Sequence, residues 1–497
     1  MVPQVVGAST WEDAKVLNYL DLSILSRCVK YEIHQRNREM TPAITSKFNI
    51  IVCGAGLGGL AAGIGLARKG HQVTLVESSQ VLNEVGAGIQ IPPNSARILD
   101  AYGLTPKLAE TVTWPESLLL KRYANSGVIA RTPLQPQTTE LYGHPYWLIH
   151  RADFQRILYD AAVAAGVDVR LGCHVERVDA HVPAVHLKGG DVVEADFIVG
   201  ADGVKSKVRR AVIPDEHIDA ISSPNCAYRA VVPAEVMRAD PELVKLLEDK
   251  NANCWIGYRR HLMAYPIRKS SMFNLVMSHP GQAPVGAWSE LGDIEDMRWQ
   301  YRHFDPVLQK LLTHVTSCKK WKLAELEPLP TWVSDSGRVV LLGDAAHATL
   351  PYLAAGAAMA VEDGAVLAEC LDRCRDVSDL PRAARAYEKL RKRRCETVIK
   401  GSHANGDLWH LPDGDDQIER DVSMSNNGDQ RPQSGEKSGN PNQWSDPCES
   451  SLFSWPLAIT NPFADRSKPA FQRWLWGHDA FEEANKYLDQ HFRGWKI

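Results

Sequence analysis

The chain has no Cys-x-x-Cys pair among its ten cysteines and no Cys/His spacing of the zinc-binding kind. That removes the common structural metal sites and the thioredoxin-type redox motif, and no metal is expected. Thiols scattered in this way fit a reducing, cytoplasmic compartment. The chain also lacks an excess of charge of one sign. Its 56 Lys and Arg against 60 Asp and Glu leave a net −4, so there is no electrostatic footprint for nucleic acid or an anionic membrane. The longest apolar runs are too short, or too rich in glycine, to span a bilayer, so no integral membrane association is expected. The opening residues MVPQVVGASTWEDAK place acidic side chains where a secretory leader would be positively charged. No internal repeat is evident. What is present is an ordinary globular composition, 44% hydrophobic and 23% charged over 497 residues, enough for more than one structural unit.

Residues 1–46 read as an N-terminal extension that carries no chemistry, with a short helix expected over 18–25. Phe48 to Cys53 is a nearly unbroken apolar run, as in a strand buried on both faces. The Ala-, Gly- and Leu-rich stretch from Leu57 to Lys69 predicts a helix and Gln72 to Val76 a second strand, a strand–turn–helix–strand unit of parallel type. A helix over 151–165, buried strands near 167–171, 196–199 and 339–342, and long helices to about residue 400 extend this into a doubly wound α/β domain, assigned to 47–220 and 325–404. Apolar-alternating runs at 226–232, 254–258, 261–267 and 272–278 predict an antiparallel β-sheet, forming an inserted substrate lobe over 221–324. A helical C-terminal tail occupies 405–497. Within it, 413–443 is rich in polar residues and Gly and has little to bury, so a disordered insertion is expected there. Six of the 14 tryptophans (Trp409, Trp444, Trp455, Trp474, Trp476 and Trp495) follow residue 405, and this density predicts a tail folded back on the body.

The strand–helix turn reads Gly54-Ala55-Gly56-Leu57-Gly58-Gly59, a GxGxxG. Gly54 permits the tight turn, Gly56 lets the backbone approach a pyrophosphate, and Gly59 lets helix and strand pack closely. The helix N-terminus adds free N–H groups and the positive end of its dipole. Glu77 ends the second strand 23 residues after Gly54, the place of a carboxylate that binds the ribose hydroxyls of an adenosine. Two more motifs follow strands: Gly200-Ala201-Asp202-Gly203, and Gly343-Asp344-Ala345-Ala346-His347 with Gly356-Ala357 shortly after. An Asp-Gly after a strand is often no more than a turn. An aspartate at a strand's C-terminal end also points into the crevice where open parallel sheets bind ligands.

Taken together, GxGxxG with Glu77, then Asp202-Gly203, then GDAAH followed by PY and GAAMAVEDG resemble the three fingerprints of the group A FAD-dependent aromatic hydroxylases. GAGIQIPPNSARIL and HRADFQRIL are similar to the salicylate hydroxylase subgroup and its fungal relatives that hydroxylate polyketide-derived phenols. The resemblance covers about residues 46–400 and the Trp-rich tail. It implies a monooxygenase that consumes NAD(P)H and inserts one atom of O2 into a phenolic substrate through a flavin C4a-hydroperoxide, in fungal secondary metabolism or aromatic catabolism. By the same resemblance Glu77 would bind the adenosine ribose, Arg151 the FAD phosphate or ribityl region, and Gly88 would approach the flavin. Asp202 with Gly203 would serve both FAD and NAD(P)H, Asp344 would hold the ribityl chain, and Gly356 and Ala357 would lie near the flavin, with the helix dipole favouring its reduced anion. No second GxGxxG exists, in keeping with a family whose NAD(P)H docks transiently. One departure is Ala355, where many relatives carry Gln. Two other classes share the nucleotide motifs: a flavin-dependent epoxidase or reductase of isoprenoid chains, and a non-catalytic binding protein like the GDP-dissociation inhibitors.

In the lobe, Arg229 lies within CAYRAVV, where a charge among apolar neighbours is costly unless paired. Either it sits on the exposed face of an alternating strand, or it orients a phenolate or carboxylate as a fork donor. The resembling fungal hydroxylases use an arginine in this strand. His261 and Tyr265 are four apart, share one strand face, and form an H-x3-Y pair like that of 6-hydroxynicotinate monooxygenase, whose tyrosine assists substrate deprotonation. Ordinary packing is the plainer alternative for each. Tyr258, at a strand end, is a third candidate. His347 is expected to support the flavin loop, the basic run from Lys389 to Arg394 to be a solvated helix face, and Cys370 and Cys374 to be buried small residues.

Overall fold

The computed structural model describes residues 48–82, 87–215, 218–283, 285, 290–426 and 470–492. The expected N-terminal extension and its helix, residues 427–443 of the expected insertion, and Trp444, Trp455 and Trp495 lie outside the described residues.

The first apolar run forms the strand Asn49–Cys53 at the centre of a five-stranded parallel sheet. Its order is Val339–Leu341, Phe197–Gly200, Asn49–Cys53, Gln72–Glu77, Asp168–Leu171. Ile50 to Cys53 are buried, as an unbroken apolar run requires when both faces of its sheet are covered. The helix Leu57–Arg68 packs on two strands of the sheet and against the helices Arg151–Ala164 and Gly356–Leu371.

The lobe is built around a seven-stranded sheet ordered Lys319–Glu325, Ile221–Pro233, Met272–Pro280, Arg260–Ile267, Ala252–Gly257, Ser117–Arg122, Val128–Pro133. Two features correct the sequence expectation. The last two strands come from the first chain segment, outside 221–324, and Ser117–Arg122 pairs parallel with Ala252–Gly257. The segments 117–122 and 128–133 are ordinary part-buried strands, and periodicity says nothing about which sheet a strand joins. A short antiparallel pair, Gly88–Ile91 with Trp147–His150, packs against the lobe strand Arg260–Ile267.

The tail expectation divides. Residues 415–426, placed in the disordered insertion, are instead the helix Asp415–Asn426. It buries Gln417, Arg420 and Met424, a stripe at helical spacing too narrow to register in average composition. The Arg420 guanidinium donates to the Leu408 carbonyl, and Ser425 donates to that of Ile129. Beyond the segment outside the description, the helices Ala470–Trp476 and Ala480–His491 pack onto the body, with Leu475, Trp476, Ala484 and Leu488 buried in the main core. Arg97 ties this stretch down by donating to the carbonyls of Gly477 and His478.

The basic run is not all solvated. On the helix Leu380–Trp409, Arg391 and Arg394 are buried. Arg391 pairs with Glu362 at 2.7 Å and Asp363 at 2.8 Å, and Arg394 pairs with Glu362 at 2.9 Å. Against the opposing effect of burial, Arg394 and Arg391 hold Glu362 below the usual carboxylate range, and His347 and Arg391 hold Asp363 below it. Cys370 and Cys374 are buried free thiols, as expected. No helix among the described residues is long and apolar enough to cross a membrane.

Candidate active site

A cavity of about 770 Å3 runs from the glycine loop to the face of the lobe sheet, within the usual range for ligand sites. Glu77, Asp202 and Asp344, each at or just past the end of a different strand of the parallel sheet, all line it.

At the nucleotide end the wall is largely backbone. Gly54 has φ +109°, and a Cβ there would lie 2.4 Å from the Ala201 carbonyl oxygen, so the turn accepts no side chain. A Cβ on Gly59 would lie 2.0 Å from the Gly54 oxygen, which is the close helix–loop packing that the motif predicts. Gly56 differs. It has an ordinary φ of −68°, and a Cβ on it would meet nothing within 4 Å. The protein's own packing does not require glycine there, so the open space above it is what a bound pyrophosphate would fill.

Glu77 accepts from the Ala55 N–H at 2.8 Å and the Ser79 N–H at 2.8 Å, tying the loop to the end of the second strand. Asp202 accepts from Ser206 Oγ and the N–H groups of Lys207 (2.7 Å) and Val208 (3.2 Å). Its carboxylate therefore organises the turn that follows it, while burial raises its pKa. Gly203, at φ +77°, lines the cavity beside it. Arg151 heads its helix and also lines the cavity; burial lowers its pKa and the nearby Asp344 carboxylate raises it. The helix Gly356–Leu371 begins at the cavity wall, with Gly356 and Ala357 among the lining residues and Ala355 at its N-cap.

At the lobe end the wall is side chains. Arg229 and Tyr265 line the cavity together with His261, so the strand face inferred from their spacing is the one turned inward. The Arg229 guanidinium lies 4.0 Å from the centre of the Trp321 ring, a cation–π contact. Its Nε is buried without a hydrogen-bond partner. Burial and the positive charge of Arg151 lower its pKa to about 9. Tyr265 is buried; burial pushes its phenol pKa up, while Arg229 and a hydrogen bond from Gln90 pull it down. His261 Nδ1 lies 2.9 Å from His410 Nε2, and burial drives both rings toward the neutral form, His410 to about 4.

One assignment changes and one gains a second reason. Tyr258 is 51% exposed and lines a separate surface hollow beside Tyr123 and Arg302; it sits past the end of its strand, where the chain turns outward, and is not part of the cavity. Gly88 lines the cavity, but a Cβ there would lie 2.5 Å from the Tyr265 ring and 2.8 Å from the Asn274 side chain. Its missing side chain makes room for the tyrosine. Sequence reasoning missed Gln90, Tyr146, Trp321 and the tail residues Trp409 and Trp476, all of which line the cavity. Gln90 was within reach, since it stands two residues after Gly88 on one strand. His347 bonds the buried Asp363, which also accepts from the Gly343 N–H at 3.0 Å, so it supports the GDAAH loop.

Comparison with known proteins places this geometry. The FAD binding domain family matches residues 47–402. The chain is 34% identical over 445 residues to the FAD-dependent monooxygenase OpS4 of Beauveria bassiana, covering 89% of this chain and 98% of that one. It is 36% identical to 3-hydroxybenzoate 6-hydroxylase 1 of Aquipseudomonas alcaligenes, covering 74% and 91%. Among solved structures, a salicylate hydroxylase substrate complex has the same fold, with a TM-score of 0.66 at 22% identity over 88% of this chain and 98% of that one. Such relatives are enzymes, which removes the non-catalytic alternative. A glycine loop with space for a pyrophosphate, opening into a side-chain-lined lobe, is thus the site of a flavoenzyme, and the chain belongs to the FAD-binding-domain family of FAD-dependent monooxygenases.

Proposed function

We propose that this monooxygenase uses NAD(P)H and O2 to add one oxygen atom to the ring of a phenolic substrate seated at the lobe end of the cavity. The observation that carries this reading is Arg229. A guanidinium stacked on Trp321, with an unpartnered buried Nε and no carboxylate in ion-pair contact among the described residues, suits a planar anion. Its charge favours the phenolate over the phenol and raises electron density on the ring to be attacked. Tyr265 and His261, on the same inward face, are the groups that meet the phenolic oxygen and its proton. At the other end Gly56 and the N-terminus of Leu57–Arg68 would take the pyrophosphate, Glu77 the ribose, and Arg151 and Asp344 the ribityl region. FAD held there would supply the redox chemistry that links NAD(P)H to O2.

Replacing Arg229 with Ala should lower phenol-stimulated NAD(P)H oxidation by roughly 100- to 1,000-fold while the purified protein keeps its flavin absorbance. Loss of flavin instead would move Arg229 to the cofactor, and unchanged turnover would refute its role. An isoprenoid epoxidase would show NAD(P)H oxidation stimulated by polyenes and not by phenols.

A further inference from the structure

Three buried side chains in the cavity wall stand in one row, and none of them belongs to the three nucleotide-binding fingerprints. Tyr146, Gln90 and Tyr265 are 3%, 7% and 2% exposed and come from three different strands or strand ends. The Tyr146 hydroxyl donates to Gln90 Oε1, and the Gln90 amide stands beside Tyr265 in the cavity wall, lowering its pKa against the effect of burial. An amide offers an acceptor at oxygen and donors at nitrogen. With its oxygen engaged by Tyr146, the nitrogen faces the Tyr265 oxygen. The strand Gly88–Ile91 fits this arrangement, because residues two apart share a face: Gly88 clears space for the Tyr265 ring and Gln90 reaches it. Tyr146 is itself backed by Trp476 of the tail, ring centres 5.2 Å apart.

We propose that Gln90, oriented by Tyr146, is a positioning residue that sets the direction of hydrogen bonding at Tyr265. Its amide donates to the Tyr265 oxygen, which leaves the Tyr265 O–H to donate to the substrate's oxyanion beside Arg229. Tyr265 is then the donor that holds the phenolate and not the base that forms it. This assignment rests on the phenol-hydroxylase reading, yet its first test does not need turnover.

In the FAD-loaded protein labelled with 3-fluorotyrosine, the fluorine resonance deleted by Tyr265→Phe reports that hydroxyl. Gln90→Leu and Tyr146→Phe should each move it, the second without touching Tyr265 itself. With a panel of hydroxybenzoates and alkylphenols, each substitution should lower kcat roughly tenfold, with the flavin spectrum unchanged and KM little altered. In the Tyr265→Phe background neither should lower kcat further. Gln90→Met, closer in shape, should behave like Gln90→Leu, since it keeps the packing and lacks the amide. A Tyr265 resonance indifferent to Gln90→Leu, or kcat losses that multiply with that of Tyr265→Phe, would overturn the proposal. Moved resonances without stimulation by any phenol would uphold the hydrogen-bond chain and refute the proposed substrate class.

Discussion

At the nucleotide end of the cavity the protein presents backbone, and at the lobe end it presents side chains drawn from distant parts of the chain. Gly54, Gly56 and Gly59 fall within six residues, and their work is to carry no Cβ. Arg229, Tyr265, Gln90, Tyr146, Trp321 and Trp476 come from six separate segments that meet only in the folded protein. Pyrophosphate recognition is common to every FAD protein and needs only N–H groups and space, so a short local motif suffices. Recognition of one ring among many needs directional side chains, and these can be exchanged without disturbing the loop. The two ends should therefore respond to opposite kinds of substitution.

The largest effect should follow from adding one methyl group to the loop. Gly59→Ala would force a Cβ to 2.0 Å from the Gly54 oxygen, a backbone atom that cannot turn aside. We expect destabilisation at or above the roughly 1–3 kcal/mol usual for overpacking, and little soluble yellow protein. Thermal unfolding of whatever apoprotein is obtained checks this; wild-type Tm would show that the loop is free to shift. The same change at Gly56 sharpens the contrast. Its Cβ meets no protein atom, so Gly56→Ala should leave the apoprotein's Tm unchanged and weaken FAD binding by tenfold or more, about 1.4 kcal/mol, measured by flavin fluorescence quenching.

The lobe end should be vulnerable from a distance. Arg394 binds Glu362 and also donates to the carbonyls of Trp474 and Leu475, next to Trp476. Truncating one partner of a buried ion pair costs about 3–5 kcal/mol; here Arg391 remains beside Glu362, so Arg394→Met should fall at the lower edge of that range in urea unfolding. Its second signature is local. The helix carrying Trp476 should lose protection from proteolysis, and the KM for a stimulating phenol should rise while FAD affinity holds. A rise in FAD Kd instead would mean that the tail braces the nucleotide end.

The same contrast explains what could be read from the chain alone. The parallel sheet, the glycine loop, Glu77 and the GDAAH loop are local: each element's residues are neighbours in sequence, and apolar runs and turn chemistry identify them. Arg229 and the inward face of His261 and Tyr265 were legible because period-2 alternation fixes faces within a strand. The partners were not. Nothing at 117–133 announces membership of the lobe sheet, nothing near Tyr146 points to Gln90, and composition hides the stripe that folds Asp415–Asn426. Tyr258 failed for the related reason that a strand end carries no rule for which way the next residue turns.

The smallest predicted effect sets a paired buried cluster against an unpaired buried histidine. In the nucleotide domain Glu362 and Asp363 are buried and paired with Arg391 and Arg394. Their carboxylates titrate below the ordinary range, so their contribution stays intact down to about pH 4 and is lost only on further acidification. In the lobe, His279 is fully buried and stacked on Tyr228 at 4.6 Å. Burial holds its pKa down at about 4, with Lys320 and Arg260 lowering it and the Met277 carbonyl and Asp296 acting the other way. In the unfolded chain a histidine takes up its proton near pH 6.5. Between those two values the unfolded state binds more protons, so stability falls as pH falls, by at most about 1.4 kcal/mol per pH unit for this group. His279→Gln should flatten the slope of unfolding free energy across that window and leave the steeper loss below it, which belongs to the carboxylates. A slope unchanged by the substitution would mean that His279 reaches water readily and that the lobe core around Tyr228 opens more easily than its packing implies.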